Sequence, residues 1–293
     1  MGPTDGADGA HTPHHHGPAG DTVPGDATGP LVLLLVLALL AAAAGYLLAV
    51  RRARRRNPAL GGYGRRSASF LGALAVLAVA VLPPLGPAAH TDFRGHMAQH
   101  MLIGMYAPLL LVLAAPVTLL LRVLPPARAR RVTRLLHSRP ARLLTHPATA
   151  LALSTGTLIP LYGTPLHATA MAHPAGHWLM NAHFLLSGCL FAYAVAGPDP
   201  APARPGVPAR LVYLGIAVAA HALIAQAMYG GFLPGVHAPA DQVRQGAEIM
   251  YYGGDIAELL LAAALVTTWR PERRTARPRV LPAVPGSGGV PAR

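Results

Sequence analysis

His96 and His100 stand four residues apart in a mostly apolar stretch. On a helix that spacing puts both rings on one face, about 6 Å apart along the axis, which suits two ligands of one metal ion. Met97, Met101 and Met105 form a second ladder with the same step. Thioethers favour Cu(I) and imidazole accepts either oxidation state, so the combination suits copper. Cys189 is the single cysteine, which leaves no disulfide and no paired-thiol motif, and a metal site here must use His, Met or carboxylate. The chain has no lysine, so Schiff-base chemistry is excluded.

Residues of the same kinds recur further along. His177, Met180 and His183 are joined by steps of three, and His221 and Met228 share a face at a seven-residue step. Glu248, Tyr251, Tyr252, Asp255 and Glu258 form a polar stripe at helical spacing. Asp255 and Glu258 fall about 13 and 18 Å into an apolar segment at 1.5 Å per residue. Ionisable groups at such depth face a bundle interior and mark a cofactor, ion or proton path. The expectation is one shared polar site near His100, His183, His221 and Asp255, with His96, Met97, Met101, His177 and Met180 as further ligands. The competing reading is interfacial histidines, core or lipid-facing methionines and scattered structural hydrogen bonds.

The segments that carry these residues read as membrane helices. Of 293 residues, 53% are hydrophobic and only 12% charged, and the mean hydropathy is +0.40. That balance points to the lipid bilayer as first partner. The +13 net charge sits in short arginine runs between apolar segments, without a basic helix or aromatic-interleaved patch, which argues against nucleic acid. Spans of about 20 apolar residues, the length a hydrocarbon core requires, are expected at Leu31 to Val50, Ala68 to Leu85, Gly95 to Leu121, Thr145 to Gly163, Gly176 to Ala196, Leu211 to Tyr229, and Gly246 to Trp269.

Arginine placement tests that layout. The connections at 51–67, 122–144 and 198–210 and the tail from Arg270 hold 22 arginines, and the alternate segments hold only Arg94 and Arg244. By the positive-inside rule this gives an all-α bundle of about seven transmembrane helices, N-terminus outside and C-terminus cytoplasmic. Residues 30–269 form the transmembrane domain. Residues 1–29 read as a polar outer tail carrying His11, His14, His15 and His16, either a metal-collecting arm or a solvated low-complexity segment. Residues 270–293 read as a basic, disordered cytoplasmic tail. Positive charge follows the first apolar run, the reverse of a cleaved signal peptide, so that run reads as an anchor. Thirteen of the fifteen histidines then lie outside or in outer helix halves, and only His137 and His146 lie inside. Pro108 and Pro116 predict a kinked third span held inside the bundle.

The run from His96 to Leu102 and the run from Ala107 through Pro108 and Pro116 to Arg122 resemble the CtaG family of cytochrome c oxidase assembly proteins. Further matches are Leu161 and Tyr162, Thr164 to Leu166, Leu179 to Leu186, Gly188 and Phe191. The series continues through Gly197, Asp199 and Pro200, His221 and Ala222, Met228, Asp241 and Gln242, Gly246, Ile249 and Met250. The similarity covers about residues 70 to 268. Val243 replaces a usual second glutamine and Tyr251 a usual tryptophan, which weakens the outer sixth loop as a site. His96, His100, His183 and His221 match their expected places.

The resemblance implies a plasma-membrane, multi-pass assembly factor for haem-copper oxidases, with copper delivery to an oxidase subunit as its usual proposed task. Such a protein is not an enzyme. Two alternatives stand beside it. Histidines on different helices can ligate haem axially, giving a membrane redox protein. A copper transport or resistance permease would use the acidic stripe as an ion path, although no internal repeat with matching broken helices is evident.

Overall fold

The computed structural model of the chain describes residues 28–58, 61–201 and 204–268. All regular structure among them is helical. In chain order the helices are α1 (Thr28–Arg56), α2 (Tyr63–Val81), α3 (Leu85–Thr91), α4 (Phe93–Met101), α5 (Ala107–Leu113), α6 (Pro116–Val123), α7 (Pro126–Leu136), α8 (Arg139–Leu144), α9 (Pro147–Leu151), α10 (Leu158–Gly163), α11 (Leu166–Met171), α12 (Pro174–Ala196), α13 (Val207–Tyr229) and α14 (Ala240–Thr268). Two π turns, Leu102–Tyr106 and Ala152–Gly156, join α4 to α5 and α9 to α10. The N-terminal histidines His11, His14, His15 and His16, Trp269 and the basic tail lie outside the described residues.

Six helical spans are long and apolar enough to cross a membrane: Gly29–Arg56, Tyr63–Val81, Phe93–Leu113, Ala175–Ala196, Val207–Tyr229 and Ala240–Thr268. These account for six of the seven expected segments. The expected fourth span, Thr145 to Gly163, is built instead from α9, a π turn and α10. Pro160 explains the interruption, because it has no N–H for the Gly156 carbonyl and its ring clashes there.

The expected third span needs correction at its far end. It stops at Leu113 rather than continuing to Leu121. A residue before proline is disfavoured in the right-handed helical region, and Ala115, before Pro116, turns left-handed at φ 52. Pro116 then opens α6 at its first turn, where a missing N–H costs nothing. The freed Ala114 carbonyl accepts the Tyr46 hydroxyl at 3.0 Å. Earlier in the same span, Pro108 denies the Gly104 carbonyl its partner, and the chain widens there into the first π turn.

The centre of the bundle follows from these breaks. The α4–α5 segment and α12 are the most enclosed spans, each 56% buried over its apolar window, whereas α1 is 6% buried and presents Leu33, Leu34, Leu37 and Leu40 outward. An all-round apolar helix of that kind faces lipid. Helix α14 lies against α13 and α4, α12 against α5 and the first π turn, and α2 against α5. At one end of the bundle the arginine-rich connections gather. Arg56 donates to the Val123 carbonyl at 2.8 Å, and the Arg54 and Arg122 guanidiniums lie over the Tyr63 ring. At the opposite end lie most of the described histidines.

Candidate functional site

Helix α4 begins at the histidine-bearing end with two caps. The Asp92 carboxylate accepts the Arg94 backbone N–H at 2.8 Å, and the Gln242 side-chain oxygen on α14 accepts the Phe93 N–H at 3.1 Å. The Arg94 guanidinium also binds the Asp92 carboxylate and holds its pKa below the usual carboxylate range. This fixes the start of α4 and, with it, the height of His96 and His100.

His96 is 3% exposed and its Nε2 lies 3.2 Å from the Tyr162 hydroxyl on α10. Its Nδ1 is buried without a partner. The His167 ring, from the short helix α11, stands with its centroid 4.8 Å from that of His96, and His167 Nε2 is likewise unpartnered. Burial, with His237 nearby as a second cause, lowers the His167 pKa to about 4, so this imidazole is neutral at physiological pH.

His177 completes this upper tier. The Gln99 amide donates to the Ala80 carbonyl at 2.8 Å, which turns its oxygen toward His177 Nε2 at 2.9 Å and the Asn181 amide at 3.3 Å. With that oxygen as acceptor, His177 carries its proton on Nε2 and keeps a lone pair on Nδ1, which is buried and unbonded. The His90 ring stands 4.0 Å away, centroid to centroid. A pocket of about 290 Å³ opens onto His90, His96, His167 and His237.

One turn deeper lies a smaller cavity of about 60 Å³. His100, His221 and Glu258 line it, each no more than 5% exposed, and His100 Nδ1, His221 Nε2 and Glu258 Oε2 lack partners. Gly254 on α14 allows His221 its place, since a methyl there would overlap the imidazole. Both π turns border this cavity, through Gly104 and through Ser154 and Thr155. Such turns recur at functional sites because they redirect side chains and loosen backbone bonding.

Of the residues predicted from sequence, His100 and His221 meet in the deep cavity, and His96 and His177 belong to the upper tier. His183 is directed elsewhere: its Nε2 donates toward the Leu153 carbonyl and Thr157 Oγ1, both at 3.1 Å, bracing the second π turn. Asp255 is half-buried and does not line the cavity, whereas Glu258, one turn further along the polar stripe, does. Met97, Met101 and Met180 sit in the main apolar cluster, and Met105 reaches the cavity wall. Sequence reasoning did not choose His167 or Glu258. His167 sits in a connection with no periodic face, and only its position just after the family-like Thr164 to Leu166 hinted at it.

Among the described residues, no group of three or more His, Cys, Asp or Glu is arranged to hold a metal ion. The atoms that could take part in holding a metal are the unpartnered nitrogens of His96, His167, His177, His100 and His221, and imidazole is a donor that copper accepts.

Fold and site together define a multi-pass helical membrane protein with a histidine-lined interior at one end. The model of the cytochrome c oxidase caa3 assembly factor family (Caa3_CtaG) matches residues 44–272, and the chain belongs to that family. Uncharacterized proteins of Mycobacterium bovis and Mycobacterium tuberculosis are each 38% identical to it over 205 residues, and one of Mycobacterium leprae is 35% identical over the same length. Those matches cover 63% of this chain but only 31% of each relative, so the chain matches under a third of the length of these proteins. No solved structure matches it.

Proposed function

We propose that the chain is a copper carrier for cytochrome c oxidase assembly, taking the ion at its histidine-bearing end and handing it to an oxidase subunit. Six buried donor atoms without partners carry this reading: His96 Nδ1, His167 Nε2 and His177 Nδ1 above, and His100 Nδ1, His221 Nε2 and Glu258 Oε2 below. Leaving such an atom unsatisfied costs about 1–3 kcal/mol, so their concentration at one end of the bundle argues for a ligand. Imidazoles with a thioether nearby favour copper over hard cations. An incomplete ligand set suits cargo that must be released. The protein then acts by binding and transfer, without catalysis. The deep cavity, at about 60 Å³, is too small to enclose a porphyrin between His100 and His221.

The same reading places the chain in the plasma membrane with seven spans, counting α9 to α10 as the fourth. The 22 to 2 arginine asymmetry puts the histidine-bearing end outside and the C-terminus in the cytoplasm. A reporter fused after Arg293 and active only in the cytoplasm checks this orientation.

The functional test is oxidase activity in membranes of a deletion strain with and without added copper, beside a strain carrying His96→Ala and His100→Ala. The expected result is synthesised oxidase subunits with lost activity in both strains, restored by excess copper through mass action on a weaker route. Full activity in the deletion strain under low copper overturns the proposal.

A further inference from the structure

A cavity of about 770 Å³ lies at the arginine-bearing end. It is framed by the start of α2, by α6, by the start of α13 and by the segments following α12 and ending α14. Arg65, Arg66, Arg122, Arg204 and Arg210 all line it. Five guanidiniums around one space repel one another, and guanidinium does not shed its proton to relieve this.

One nearby acid among the described residues, Asp199, offsets only part of it. Among the described residues the one ion pair is Arg94 with Asp92, at the other end of the bundle. Asp199 brings a single charge against five guanidiniums, and its oxygens are directed at the first turn of α6: it accepts the Val117 N–H at 3.0 Å, the Thr118 N–H at 2.8 Å and the Thr118 hydroxyl.

Three of the arginines are held in position by neutral acceptors. Arg204 donates to the Tyr193 carbonyl at 2.9 Å, Arg210 to the Val195 carbonyl at 2.8 Å, and Arg122 to the Tyr63 hydroxyl at 3.2 Å. The Nε–H groups of Arg204 and Arg210 are buried and have no partner. Oriented guanidiniums with spare donors suit a phosphate, which accepts their paired N–H groups side by side.

We propose that this cavity binds the phosphate of an anionic phospholipid headgroup. The surroundings favour a lipid over a soluble anion. Leu211 adjoins Arg210, Val266 adjoins Thr267, and Leu120 lies two residues from both Thr118 and Arg122. These side chains are 47%, 65% and 44% exposed, respectively. Apolar surface for acyl chains therefore reaches the rim of the charged pocket. Basic pockets between helix ends at this level are suited to anionic headgroups.

The test uses the full chain in phosphatidylcholine nanodiscs, titrated with phosphatidylglycerol, with bound lipid counted by native mass spectrometry and the melting temperature followed in parallel. Phosphatidylglycerol is retained and raises the melting temperature, whereas inorganic phosphate does neither. Arg66→Gln and Arg122→Gln each weaken retention by about fivefold, the effect of removing one arginine at an anionic lipid surface. Melting of each variant in phosphatidylcholine alone identifies any that fail to fold, and two sites on different helices keep the comparison open. Unchanged retention in both folded variants overturns the proposal. Equal protection by inorganic phosphate overturns the lipid assignment. Copper loading is read separately, so failure here is independent of the carrier reading.

Discussion

Gly188 on α12 lies against the Gly104 carbonyl of the first π turn, so closely that a methyl group at Gly188 would overlap the oxygen and crowd the Pro108 ring. Pro108 has left that carbonyl without its helical partner, and the absent side chain at Gly188 lets α12 close over it. Gly188→Ala is expected to destabilise the protein by about 1–3 kcal/mol through overpacking. Gly215→Ala, at a helical position with nothing within 4 Å, serves as control and should be neutral or slightly stabilising. Thermal unfolding in detergent checks the pair.

Asp199 supplies two backbone bonds to α6 from a separate segment of the chain and is 2% exposed. Asp199→Ala removes a cap and leaves two half-buried N–H donors unpaired, for an expected loss of about 0.5–2 kcal/mol. Copper retention should be unaffected, because the residue lies at the opposite end from the histidines. Melting and metal analysis on the same sample separate the two effects.

His100 and His183 should part ways under substitution. His100→Ala and His221→Ala each remove a donor from the deep cavity and should lower copper affinity at least about tenfold. His183→Ala should spare affinity and cost about 0.5–1.5 kcal/mol of stability, because it strips one bond from the Leu153 carbonyl, which keeps the Thr157 hydroxyl. Copper titration of the three purified variants decides. Equal loss of copper by all three would place His183 in the site after all.

The upper tier carries a pH signature. The folded pKa of His167 is lowered to about 4, below an unfolded value of about 6.5, so protonation favours the unfolded or opened form. Its stabilising contribution is complete above about pH 6.5 and is lost as pH falls toward 4. His90, His96, Asp92 and His237 face the same pocket. Protection of the His167 ring, followed by histidine NMR, should hold from pH 7 to 5 and fail near 4. Titration near 6.5 in the folded protein would contradict the buried placement.

Much of the architecture was legible because the bilayer imposes its own ruler. Apolar runs such as Gly176 to Ala196 and Leu211 to Tyr229 correspond closely to α12 and α13. The misjudged end of the third span and the break in the fourth fall at prolines. Leu119 to Leu121 are as apolar as any span, and composition alone cannot reveal that Ala115 flips to a left-handed turn before them. His96 and His100 were legible as two buried positions on one face of α4, but the structure divides them between the upper tier and the deep cavity, where the four-residue spacing suggests one ion. The site was hidden where topology brings residues together: His167 meets His96 from a short connection, and His177 depends on Gln99, an ordinary amide in the sequence. His183 shows the converse error to guard against, a well-spaced histidine occupied with a backbone carbonyl.

The π turn between α4 and α5 acts as a stored change of phase. An α-helix advances about 100° per residue, so one surplus residue in a widened turn rotates everything beyond it by that angle. The face of α4 that turns His100 toward α14 is therefore set relative to α5 by the wide turn as well as by residue spacing. Deleting one residue from Leu102–Tyr106 would remove the surplus residue and swing the two halves of the span out of register, with Pro108 still interrupting the hydrogen-bond ladder. The histidines would remain in sequence and in depth, yet no longer point into the interior that the rest of the bundle has built around them.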